Sequence, residues 1–87
     1  MEQYVILARS VTYAQRMQKL LGRAGISGQI FRAPRELTDL GCAYILRIRT
    51  QPIRQTLELL YGEGLNPVKV FLENGGIYRE VAVHDLF

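Results

Sequence analysis

"SGQIFRAPRELTDLGCAYILRIR", residues 27–49, decides the fold, because it holds two strand-like segments with no helix between them. "SGQIFRA" (27–33) reads as a strand that Pro34 halts by fixing its own φ and removing a backbone donor. "CAYILRIR" (42–49) alternates, with Tyr44, Leu46 and Ile48 on one face and Ile45, Arg47 and Arg49 on the other, the period of a half-buried strand. The eight residues from Pro34 to Gly41 form a loop between them.

Working outward, "YVILA" (4–8) is a short apolar run that reads as a strand. Ser10 then offers an N-cap, and Ala14, Met17, Leu20, Leu21 and Ala24 recur at helical spacing until Gly25. On the other side, Thr50 caps a second helix with Pro52 in its first turn. Ile53, Leu57, Leu60 and Tyr61 form its apolar face, and Gly62 and Gly64 stop it. "NPVKVFLE" (66–73) and "GIYREVAV" (76–83) are two more strands joined at Asn74-Gly75-Gly76, a hairpin signal. The order β-α-β-β-α-β-β predicts an α+β, ferredoxin-like split β-α-β plan, in which two helices cover one face of an antiparallel sheet. Phe71, Tyr78 and Ile45 are expected on the uncovered face, where their apolar surface predicts a homodimer.

Eighty-seven residues, 48% of them hydrophobic and 22% charged, suit one folded domain over 1–87. "MEQYVILARS" has no basic lead, no small-residue cleavage site and too short an apolar run for a span. Neither a signal peptide nor membrane insertion is expected. A cytoplasmic chain is therefore expected, and the single cysteine, which cannot form an internal disulfide and would persist as a thiol in a reducing compartment, agrees with that expectation. One Cys and one His fall short of a zinc ligand set, so no metal and no cofactor are expected. The net charge of +3 comes mostly from arginine, which suits geometric binding of carboxylate, phosphate or sulfate. No long basic run interleaved with aromatics points to nucleic acid, and such a partner is not expected.

The chemistry concentrates in "APRELTDLGC" (33–42). Pro34 makes a rigid exit from the strand and gives Arg35 a definite direction. Thr38 and Asp39 favour a side-chain-to-backbone turn, and Gly41 permits a positive φ just before Cys42. With Arg35 or Arg32 nearby, the Cys42 thiolate would be favoured over its ordinary state, whose pKa is about 8.5. Strand parity offers the opposite reading: Cys42 shares a face with Tyr44, Leu46 and Ile48, and a thiol turned toward the helices is a small inert core residue. Both readings stand on chemistry alone. His84, the sole histidine, lies at the far end of the chain, and Glu36 and Asp39 suit a solvated turn better than an acid-base pair.

The short first strand ending at Ser10, the helix with Ala14 and "KLL" (19–21), "AGI" (24–26) and the Pro-Arg loop together resemble a small bacterial family, the selenium/sulfur carrier-like proteins. Its hallmark is a Pro-Arg pair, an aliphatic residue, Ser or Thr, a short spacer and a cysteine usually followed by glycine. Pro34, Arg35, Leu37, Thr38 and Cys42 match it, while Ala43 follows the cysteine and the glycine precedes it as Gly41. The resemblance covers the first half of the chain. It implies that Cys42 accepts sulfur or selenium as a persulfide or perselenide from a donor protein and passes it to an acceptor by thiol exchange, with Arg35 stabilising the anionic chalcogen. The competing class is a non-enzymatic regulatory or interaction module, in which Arg35 and Arg32, on the Pro34–Gly41 loop and at its edge, bind a small anion or partner while Cys42 merely packs.

Overall fold

The computed structural model describes residues 2–38, 43–48 and 53–86, with side chains through His84. Strands β1 (Glu2–Ala8), β2 (Gly28–Arg32), β3 (Tyr44–Ile48), β4 (Lys69–Asn74) and β5 (Ile77–Val81) form one sheet in the order β2-β3-β1-β4-β5. Every neighbouring pair is antiparallel, so β1 and β2 run parallel with β3 inserted between them, and β3 and β4 run parallel around β1. Helix α1 (Val11–Arg23) joins the first parallel pair and α2 (Ile53–Gly62) the second.

Local chemistry sets these boundaries. Ser10 is extended and its Oγ accepts the Tyr13 N–H at 3.2 Å, satisfying a first-turn donor of α1. At the other end, Gly25 adopts φ +80°, its N–H donates to Gly22 O, and Ile26 N–H donates to Leu21 O at 2.9 Å. This Schellman closure also brings Ile26 onto the core beside Leu21. Helix α2 closes in the same way through Gly64 (φ +72°), with Leu65 N–H on Leu60 O. Gly62, expected to help stop that helix, lies inside its last turn. The expected Thr50 cap and Pro52 lie outside the described residues. At the hairpin, Gly75 and Gly76 both take positive φ, as a type I′ turn requires.

The strands differ from expectation mainly at their ends. β1 begins earlier, at Glu2, because Glu2 and Gln3 pair with Asn74 and Glu73 of β4. β4 begins only at Lys69, after Pro67, with Val68 N–H donating to Leu7 O at 2.8 Å. β5 ends at Val81, and Val83–Leu86 turns into a 3-10 segment.

One face of the sheet packs on the helices: Ile6, Ala8, Leu46 and Ile48 meet Ala14, Met17 and Leu21 of α1 and Leu60 of α2. Beside them, Ile53 and Leu57 of α2 cover Val70. Full burial of each large side chain contributes about 1.5–3 kcal/mol of transfer free energy.

The second face corrects an expectation. Ile45 and Phe71 do lie on it, but they are 1% and 6% exposed, and Val5 and Leu7 beside them are equally buried. Leu37 turns down onto this cluster together with Ala43, while Ala33 and half-buried Tyr78 pack at its edge. Tyr78 meets Phe71 edge to face at 6.4 Å. A residue of the supposedly solvated loop thus covers Ile45 and Phe71 within the chain, so the three residues from which a homodimer was expected are buried or half-buried, while Phe31, paired with Ile45 at the edge of this face, is exposed.

Candidate functional site

The loop after β2 is built on a short tether. Ala33 N–H donates to Ala43 O at 3.1 Å, continuing the β2–β3 ladder one step past its last strand pair and tying both ends of the segment 34–42 together. Pro34 leaves this tether extended (φ −61°, ψ 149°), and Arg35–Leu37 then form one 3-10 turn, with Leu37 N–H on Pro34 O and Thr38 N–H on Arg35 O. Burial of Leu37 anchors the turn, so Arg35, two residues earlier, is held outward and exposed.

Arg35, Glu36, Leu37 and Thr38 line an open cleft of about 410 Å³ with Leu7, Val68 and Lys69. The far wall comes from the C-terminal end of β1 and the start of β4, which pair at Leu7 and Lys69. The cleft therefore presents two cations, one carboxylate and an apolar floor. Lys69 Nζ lies 3.6 Å from Glu80 Oε1, with both side chains about half exposed, and water weakens so open a pair. Lys69 is thus available to an anion entering beside Arg35.

Of the residues singled out in the sequence, Pro34, Arg35 and Thr38 gather at this loop, and Arg35 and Thr38 line the cleft. Arg32 does not join them. It pairs with Tyr44 and shares the sheet face of Ile30, the helix-covered side, where it ends β2 exposed to solvent. Cys42 and Gly41, with Asp39, lie outside the described residues. His84 is exposed in the 3-10 segment after β5. Leu7, Val68 and Lys69 escaped the sequence reading because no local pattern marks them; only the β1–β4 register brings them to the loop.

Away from the cleft, Glu73 is 8% exposed on β4. Its carboxylate accepts the Gly76 N–H at 2.8 Å and the Gln3 amide at 3.1 Å. The Gly76 bond first, then Gln3 and the positive charge of Arg47, hold its pKa below the usual carboxylate value against the opposing effect of burial. Glu73 thereby locks the hairpin turn to β1, a structural task.

A family model described as "Putative Se/S carrier protein-like" matches residues 3–72. No curated protein and no solved structure matches the chain.

Proposed function

This chain belongs to the Se/S carrier protein-like family, and from that premise we propose that it carries a chalcogen atom on Cys42, within a ferredoxin-like frame and a reducing cytoplasm. The Cys42 thiolate attacks the outer sulfur of a persulfide on a donor protein. The donor's S–S bond breaks, its thiolate leaves, and Cys42 holds the transferred atom as its own persulfide. An acceptor thiolate then attacks that outer atom and regenerates the Cys42 thiolate, so no oxidant or reductant is consumed. A perselenide follows the same sequence with selenium in the outer position.

The observation that carries this reading is the family match, which spans the whole segment from Pro34 to Cys42. Support comes from the exposed Arg35 held by the Leu37 anchor and from Lys69 across the cleft, two cations suited to a thiolate or a terminal sulfide anion. Alkylation of the folded protein as a function of pH, with intact mass after incubation with a persulfide donor, tests it. The expected result is a depressed thiolate pKa and a gain of one sulfur, both lost in Cys42→Ser and weakened in Arg35→Ala. A thiol that reacts only after unfolding would sink the proposal.

The cleft itself favours one second reading, a module that binds a small anion or a partner's anionic group without thiol chemistry, through Arg35 and Lys69. In that case Cys42→Ser keeps binding and Arg35→Ala abolishes it.

A further inference from the structure

We propose that the outer face of α1 is a docking surface for the phosphate backbone of nucleic acid, a partner beyond those of the chalcogen chemistry. The charge along the chain is uneven. Between Gln3 and Arg35 there is no carboxylate, yet the same stretch carries Arg9, Arg16, Lys19, Arg23, Arg32 and Arg35. In the linear sequence these cations look scattered. The helix gathers Arg16, Lys19 and Arg23 onto one stripe, because spacings of three and four residues return to the same side at 100° per residue. The stripe is about 10 Å long at 1.5 Å per residue, and its members are exposed while Ala14, Met17 and Leu21 bury the opposite side.

Little among the described residues neutralises the stripe. Among the described residues the ion pairs are Arg54 with Glu58 and Lys69 with Glu80, and neither involves it. Glu63 is the one carboxylate lining the recess of about 150 Å³ that Arg16, Lys19 and Arg23 border between α1 and the turn that follows α2. Arg9 extends the positive surface past the helix start, where its guanidinium stacks on Tyr13 at 4.8 Å; Arg16 lies on the same ring at 5.9 Å.

The rest of the face decides among anionic partners. An acidic protein would need an apolar anchor at the centre of the contact, and a lipid surface would need apolar side chains to insert. The exposed positions around the stripe are instead Thr12, Gln15 and Gly22; Leu20 beside it is half-buried and packs on the core where it lines the recess with buried Leu65, and exposed Val11 lies only at the helix start. Cations with neighbouring hydroxyl and amide groups fit closely spaced phosphates.

The test is fluorescence anisotropy with a labelled single-stranded RNA, a DNA of the same sequence, labelled polyglutamate and phosphatidylserine vesicles, titrated across a salt series. Binding to either nucleic acid supports the proposal, with a slope of log K on log salt of about −2 to −3 for three neutralised phosphates. The combined Arg16→Glu, Lys19→Glu and Arg23→Glu variant is expected to lose at least about tenfold in affinity, while Arg54→Glu on α2 keeps it. If the triple variant does not fold, single alanine variants each flatten the slope by about 0.7–0.9. Absence of nucleic-acid binding at low salt, equal loss in Arg54→Glu, or polyglutamate or vesicles binding as tightly as nucleic acid would overturn it. None of these readouts depends on Cys42.

Discussion

The two faces of the sheet are buried by different means. On the helix side, two amphipathic helices of 13 and 10 residues lay Met17, Leu21, Leu57 and Leu60 over Ile6, Leu46, Ile48 and Val70, and the cover is almost entirely hydrocarbon. On the other side, one leucine from a single 3-10 turn, with two alanines and a tyrosine, completes a cluster of Val5, Leu7, Ile45 and Phe71. That second face also holds charge: Arg47 sits 4.6 Å from the exposed Phe31 ring, with its Nε buried and without a hydrogen-bond partner. Periodic helices provide redundant cover, whereas a short loop concentrates it in one side chain. The segment that seals the second face is the same one that presents Arg35, so stability and the candidate site are coupled there and separate elsewhere.

The strongest challenge to this contrast is truncation on both sides. Leu21→Ala, at a fully buried position of α1, is expected to cost about 3–5 kcal/mol in global unfolding. Leu37→Ala is expected to cost less, about 2–3 kcal/mol, and to raise hydrogen exchange selectively at the Leu37 and Thr38 amides. Urea unfolding with site-resolved exchange checks both, and a purely global effect from Leu37→Ala would break the coupling of loop and face. Next in size, Gly64→Ala places a side chain at φ +72° with nothing within 4 Å of the added carbon, so only the backbone resists. A loss of about 1–2 kcal/mol is expected from thermal melts.

Glu73 sharpens the comparison through pH. Its folded pKa lies below its unfolded one, so the carboxylate stabilises fully above about pH 4.3 and the contribution fades as pH falls through the depressed folded value. Urea midpoints in that acid range should fall more steeply for the native chain than for Glu73→Gln. The smallest effect is expected for Arg47→Met: removing an unpartnered buried donor offsets the lost ring contact and the attraction to Glu73, for a net change within about 1 kcal/mol. A large loss in denaturant titrations would show that the second face depends on its charge.

Much of the fold was legible locally. Ser10, Gly25, Gly64 and the Asn74-Gly75-Gly76 turn each act through their own φ, hydroxyl or missing side chain, and such effects need no distant partner. The alternation in 44–48 assigned Leu46 and Ile48 to the helix side correctly, because side-chain direction in a strand follows from its period of two. The candidate site was only half legible. Its Pro34, Arg35 and Thr38 form a continuous motif, while Leu7, Val68 and Lys69 reach the same cleft through pairing across some 60 residues, a relation no local pattern encodes.

The sequence by itself determined the kind and order of the elements, the closure of both helices at Gly25 and Gly64, and which family the loop belongs to, since all three reside in residue order and short-range sterics. Tertiary structure alone decided that Leu37 seals the second face, that Arg32 parts from Arg35, and that Lys69 faces the loop. Those outcomes depend on strand order and register, which are set by packing the whole chain at once.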